Sequence, residues 1–329
     1  MEVLGLLESG TKLNPNKKLK IGVIGVGHLG QHHARIYSQM PDVELVGIAD
    51  SDRERSKMIG EKFNTNYYYE YSQLLPKVDA LSIAVPTQLH YEVTHLALKN
   101  HIDVLLEKPI TATIEEADRL IAEAEEHHAI FQIGHLERYN RAYLKAKTFI
   151  QNPRFIENHR IGPFASRGTD VNVILDLMIH DIDIILSLTN SPITEIRAMG
   201  VPVLSKEIDI VNARLEFRSG CVANMTASRV SLEKMRKIRI FQPDAYISLD
   251  YQNQEVTIAK KGIENNQTKI FVDHPTVEKE EPLKLELYDF VKNCLNRTPP
   301  DISGSAGKEA LKVAEEIARI AIEQSQKFV

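Results

Sequence analysis

The chain has 329 residues, 43% apolar and 26% charged, which suits about two globular domains. The formal charge is −5 and no long basic run occurs, which argues against nucleic acid as the main partner. The two cysteines, Cys221 and Cys294, lie in apolar patterns, supply no disulfide framework or zinc knuckle, and fit a reducing cytoplasm.

No apolar run reaches membrane-spanning length. Met1–Leu7 is apolar but lacks a basic flank, so a signal peptide is not expected. Thr11–Lys18 is polar and interrupted by proline, and residues 1–18 read as an N-terminal extension. The apolar run Ile21–Ile24 then reads as a buried strand. It leads into Gly25-Val26-Gly27-His28-Leu29-Gly30 and a helix over His32–Met40. A second strand, Val43–Ala49, ends at Asp50, twenty residues beyond Gly30. Gly25 permits the tight turn, Gly27 lets backbone approach a pyrophosphate, and Gly30 lets helix and strand pack closely. The helix start faces the phosphates with free N–H groups. Asp50 is suited to the adenosine ribose hydroxyls and repels a 2′-phosphate, so NAD is favoured over NADP; Arg53 is near enough to soften that preference.

Arg53–Phe63 reads as a helix, Tyr67–Tyr69 as a short strand and Tyr71–Lys77 as a short helix. Strands at Ala80–Val85, Asp103–Leu106 and Ile130–Ile133 alternate with helices at Tyr91–Asn100 and Ile114–His127. That alternation predicts a doubly wound parallel sheet covered on both faces, ending near Gly134. Beyond Arg141–Ile150, a helix over Asn172–Thr189 precedes β-rich runs at Ile193–Val203, Asp209–Phe217, Val222–Ser228, Lys237–Gln242, Tyr246–Asp250 and Glu255–Ala259. These predict a large, open, mostly antiparallel sheet with one helix-covered face, in an α+β domain closed by two C-terminal helices. The expected division is 1–18, 19–134 for the dinucleotide-binding domain, and 135–329 for substrate binding and oligomerisation. The open sheet face is a candidate interface for a homodimer or homotetramer.

Three stretches carry candidate chemistry. In Val171–Leu188, Asp176, His180 and Asp183 are the polar members of an apolar run, spaced by four and three, on one face of a helix. A buried histidine beside a carboxylate is tuned for proton transfer near neutral pH. The bland alternative is a solvated stripe; a metal site finds no further ligand cluster. Glu107-Lys108-Pro109 follows a strand, where open α/β sheets place ligands, and a lysine there can stabilise a forming alkoxide. Val85–His90 ends another strand, and Pro86, Thr87 and His90 are candidate cofactor contacts; the bland reading is a helix cap and a surface histidine.

Together the glycine turn, the Pro-Thr…His loop, Glu-Lys-Pro and the Asp…His helix resemble the Gfo/Idh/MocA family of NAD(P)-dependent oxidoreductases, over most of Leu19–Gln324. The resemblance implies a Rossmann domain followed by an α/β domain on an open sheet. It implies that Lys108, Asp176 and His180 are catalytic, and that Gly25, Gly27, His28, Leu29, Gly30, Asp50, Arg53, Pro86, Thr87, His90, Glu107 and Lys108 lie on the NAD side. Many members have a glycine between the Asp and His, where Met178 stands here. His135–Asn140 (HLERYN) and the run from Asn158 to Asp183 look like bacterial members that oxidise C3 of UDP-N-acetylglucosamine. In that subgroup the ketone passes to a PLP-dependent aminotransferase on the way to a diamino sugar of lipid A. Arg138, Tyr139, Arg160, Arg167 and Asp183 are then candidate substrate contacts, the arginines for a diphosphate. Alternatives are dehydrogenation of another nucleotide sugar or an inositol-like polyol, NAD-assisted glycoside cleavage, or an NAD-binding sensor without catalysis.

Overall fold

A computed structural model of the chain describes residues 18–164 and 171–326. The chain forms two compact units. The first runs to Gly134 and takes back Leu283–Lys308; the second holds His135–Pro282 and the chain from Glu309 onward.

In the first unit six parallel strands, β1 (Leu19–Ile24), β2 (Val43–Ala49), β3 (Asn66–Tyr68), β4 (Ala80–Ile83), β5 (Asp103–Glu107) and β6 (Phe131–Gly134), lie in the order β3-β2-β1-β4-β5-β6. Order reverses between β1 and β4, which makes a crevice at the carboxyl ends of these strands. The connecting helices are α1 (Gly30–Tyr37), α2 (Arg53–Lys62), α3 (His90–Lys99) and α4 (Ile114–Glu126). β4 and β5 are buried at every residue, as strands covered on both faces must be. Helix α4 starts at Thr113 because its hydroxyl accepts from Glu116 N–H while the Glu116 carboxylate accepts from Thr113 N–H. The predicted helix at Tyr71–Lys77 is instead two 3₁₀ turns, broken around Leu74 with Pro76 in the second.

The returning segment corrects the expectation that all of 135–329 forms the second domain. Helix α7 (Pro282–Asn296) and the chain after it close the open edge of β6. Ile133 N–H donates to the Ile302 carbonyl at 2.9 Å, and Gln132 bridges Ser303. Arg297 reaches Asp103 at 2.5 Å and the His128 carbonyl at 2.6 Å.

The second unit is an eight-stranded sheet in the order β14-β13-β12-β11-β7-β10-β9-β8. Its strands are β7 (Phe155–Ile161), β8 (Ile193–Val201), β9 (Ile210–Phe217), β10 (Val222–Ser228), β11 (Met235–Gln242), β12 (Ala245–Asp250), β13 (Glu255–Glu264) and β14 (Gln267–Asp273). Only the β7–β10 pairing is parallel. Helices α5 (Arg141–Lys147), α6 (Ile179–Thr189) and the part of α8 (Gly304–Ser325) from Glu309 onward belong to this unit. One face of the sheet, including Ile156, Met225, Ile238 and Leu249, joins Ile179, Ile182 and Ile317 in a single core.

Within that core Arg160 of β7 is a buried cation. Its guanidinium donates twice to Asp181, both at 2.8 Å, and once to Glu137 at 2.9 Å, and lies over the Tyr251 ring. Burial opposes its charge, but the two carboxylates outweigh burial and hold its pKa above the usual value. Removing one side of such a pair strands a buried charge. Asp181→Ala should therefore lower unfolding free energy by about 3–5 kcal/mol in a urea titration. A change under 1 kcal/mol would show that the pair does not fasten α6 to the sheet.

Candidate active site

The glycine turn follows β1 at the crevice. Gly25 has φ +80°, and a Cβ there would lie 2.6 Å from the Ala84 carbonyl oxygen. A Cβ on Gly30 would lie 1.8 Å from the Gly25 carbonyl oxygen, so the chain crosses itself where a side chain cannot fit. Gly27 differs: nothing lies within 4 Å of a Cβ built on it. The open space beside Gly27 and the start of α1, which has neither a side-chain cap nor an acidic first turn, fit the pyrophosphate of a dinucleotide. His28 is exposed on this turn and Leu29 half-buried.

Asp50 directly follows β2 beside the turn. Its carboxylate accepts from Val26 N–H and Asp52 N–H, each at 2.9 Å, and from the Arg55 guanidinium at 2.8 and 3.0 Å. Burial pushes the carboxyl up, but Arg55 and the two backbone donors outweigh it and hold the group below its usual pKa. The arginine beside Asp50 is therefore Arg55, not the expected Arg53. Arg53, first residue of α2, turns outward and stacks over Tyr69 at 4.9 Å. Arg55 lies two residues further round the helix, a phase that charge spacing alone does not disclose.

After β4, Pro86 is exposed and Thr87 half-buried at the start of the 3₁₀ turn Thr87–Leu89. His90 is buried, with ring nitrogens 2.7 Å from the Pro109 carbonyl and 3.0 Å from the Val85 carbonyl. Burial pushes the imidazole below its usual pKa, against both carbonyls, which favour the charged form. His90 thus ties the loop after β4 to the loop after β5, rather than standing open as a surface histidine. Glu107 ends β5 buried, its carboxylate 3.2 Å from His33 Nε2. His33 Nδ1 and Tyr37 OH both meet Ser82 Oγ at 3.0 Å, so this polar group runs beneath the crevice. Lys108 is half-buried at the strand end, and its peptide bond to Pro109 is cis.

In the second unit the predicted Asn172–Thr189 helix is two pieces. Asn172 Oδ1 accepts from Ile174 and Leu175 N–H and starts a π-helical turn, Ile174–Met178, which runs into α6. Asp176 sits in the π turn and His180 in the first turn of α6; both are half-buried. A π turn widens the angular step over Asp176. Asp183 is buried and takes Arg138 as a two-pronged partner at 2.6 Å on each oxygen. Burial opposes the charge of Arg138, and Asp183 more than restores it. Tyr139 is half-buried beside it in sequence. Arg138, Arg160 and Asp183, expected as substrate contacts, thus have ion-pair partners within the unit. Arg167 lies outside the described residues. Among the described residues no group of three His, Cys, Asp or Glu side chains could hold a metal ion, and no helix is long and apolar enough to cross a membrane.

Two glycines separate folding from binding. Gly30→Ala forces backbone apart and should destabilise the chain by about 3 kcal/mol or more in urea. Gly27→Ala should keep the wild-type melting midpoint yet weaken dinucleotide binding in calorimetry; unaltered binding would remove Gly27 from the cradle. Asp50 has a folded pKa below its unfolded value of about 3.9, so its stabilisation holds above that pH and fades as pH falls through the folded value. The stability gap between wild type and Asp50→Asn should narrow below about pH 4; a constant gap would contradict the Arg55 pairing.

Residues 19–135 match the GFO/IDH/MocA oxidoreductase family, NAD-binding Rossmann fold, and residues 146–247 match the GFO/IDH/MocA C-terminal domain. UDP-N-acetylglucosamine 3-dehydrogenase of Acidithiobacillus ferrooxidans is 37% identical over 309 residues, 93% of this chain and 97% of that protein. A crystal form of that enzyme aligns with a TM-score of 0.86 at 35% identity, covering 92% of this chain and 97% of the other. Myo-inositol 2-dehydrogenase of Thermotoga maritima is 26% identical over 312 residues, 89% and 93% of the two chains. Levoglucosan dehydrogenase in complex with NADH and levoglucosan shares the fold, with a TM-score of 0.83 at 18% identity over 93% and 98% of the chains. Glycine turn, acidic strand end and family match agree: the chain belongs to the Gfo/Idh/MocA oxidoreductases and carries their NAD-binding Rossmann fold.

Proposed function

We propose that the protein oxidises C3 of UDP-N-acetylglucosamine to a ketone with NAD. The observation that carries this reading is the 37% identity to an enzyme of that activity, spread over 93% of this chain and 97% of the other. The retained Lys108, Asp176 and His180 support it against a non-catalytic sensor. A polyol substrate is the second reading, favoured by the 26% identity to myo-inositol 2-dehydrogenase.

Bound NAD supplies the hydride acceptor. Gly27 and the start of α1 hold its pyrophosphate, and Asp50 its adenosine ribose. The chain's own work is proton handling and alignment. His180 accepts the proton of the substrate hydroxyl as general base. Asp176 orients that imidazole and favours its charged form. Lys108 stabilises the developing alkoxide and can share the proton. His90 and Glu107 act on Lys108 indirectly, by fixing the loops and the strand end around it.

The reading extends to the setting. The ketone is passed to a PLP-dependent aminotransferase that makes a 2,3-diamino sugar for lipid A, in the cytoplasm. The open sheet face makes a homodimer or homotetramer: Ile270, Phe271 and Val272 of β14 stand 46–74% exposed, and Ile263 and Met199 on other strands 78% and 40%.

Purified protein mixed with NAD and UDP-N-acetylglucosamine, with a carbonyl trap, should produce NADH absorbance; myo-inositol should not. NADH from myo-inositol alone would replace this reading with the polyol one. His180→Ala and Lys108→Met should each lower kcat about 10²- to 10⁴-fold while NAD affinity stays at the wild-type value. Wild-type turnover in either variant would strip that residue of its role.

A further inference from the structure

Arg138 and Arg160, two arginines expected to meet a diphosphate, are both engaged by buried aspartates. Arg236 is placed differently. Strand alternation puts it on the same face of β11 as Ile238 and Ile240, the face that packs into the core. Its antiparallel partner on β7 is Arg160. Two arginines directly opposed repel each other, and Arg160 already has its carboxylates. Among the described residues no hydrogen bond or ion pair reaches the Arg236 guanidinium, although it is half-buried.

The charges that act on Arg236 are Arg160, Glu137, Asp181 and Asp176. Burial and the Arg160 charge push its pKa down, and the three carboxylates recover only part of that. An arginine does not shed its proton in a protein, so Arg236 stays a partly desolvated cation. A chain has little structural reason to keep such a charge at a core-facing strand end. A ligand anion that completes it gives one. Asp176, a carboxylate of the proposed chemistry, is among the charges felt at Arg236. On a nucleotide sugar the diphosphate hangs from C1, two ring bonds from C3, so a phosphate-binding group belongs near the reacting carbon. The planar fork of arginine suits two phosphate oxygens at once.

We propose that Arg236 binds the sugar-linked phosphate of the substrate and selects nucleoside diphosphate sugars over uncharged polyols. This deepens the reading given under Proposed function and rests on it.

The test compares wild type with Arg236→Met and Arg236→Lys at saturating NAD. In Arg236→Met the KM for UDP-N-acetylglucosamine should rise about 10- to 100-fold, with kcat changing far less. Arg236→Lys should recover part of that loss, and NAD affinity and the melting midpoint should match wild type. UDP should compete with the sugar nucleotide in wild type and much less in Arg236→Met. If wild type oxidises UDP-N-acetylglucosamine and Arg236→Met has the same KM, the Arg236 assignment falls and the enzyme reading stands. If wild type oxidises only an uncharged polyol, the enzyme reading falls. Arg236 then survives as an anion site only where UDP inhibits wild type and spares Arg236→Met; without that inhibition both fall. A variant that melts early is replaced by Arg236→Gln, judged by the same KM and UDP competition.

Discussion

Backbone meeting backbone at the glycine turn is the constraint on which the first unit depends. Gly25 presses on the carbonyl of Ala84 beyond β4, and Gly30 presses on Gly25 itself. These contacts bring the ends of β1 and β4 together where the order of the sheet reverses. Asp50 clamps the same place from the other side, binding Val26 N–H in the turn and Asp52 N–H before α2. Three loops are thus fixed by atoms no substitution can easily replace, and the first turn of α1 is left facing outward for an anion.

The second unit uses charge for a different purpose. α6 carries Asp181 and Asp183, two residues apart and therefore on different sides of the helix. Each is buried and takes its own arginine, Arg160 from the sheet and Arg138 from the 3₁₀ turn before α5. Paired charges of this kind fix register more surely than they add stability. They fasten α6 downstream of Asp176 and His180, so the fastening groups and the proposed proton-handling groups are separate residues on one continuous segment.

What the sequence discloses follows from whether the signal is local. The glycine turn, Asp50 and the alternation of strands with helices are legible because each needs particular residues at short, fixed spacing. The parallel sheet and the mostly antiparallel second sheet follow from the same patterning. β7 is not legible because its alternate positions hold Asn158 and Arg160, polar residues that are nonetheless buried, Arg160 through carboxylates distant in sequence. β14 escaped because every one of its residues is exposed, so it has no buried face to read. Arg55 in place of Arg53 turns on helix phase, and the π turn at Asp176 changes a step that spacing rules assume constant. The pairing of Arg138 with Asp183 and of Arg160 with Asp181 bridges 45 and 21 residues, which one chain read alone cannot match up.

The return of Leu283–Lys308 to the first unit has a consequence for how the protein comes into being. Until that segment emerges from the ribosome, β6 is a bare edge with an unsatisfied Ile133 N–H, and Asp103 lacks Arg297. The dinucleotide-binding half begins first, yet it is completed only after most of the second unit has been made. A fragment cut after Gly134 would leave β6 an uncovered edge, open to pairing with another chain.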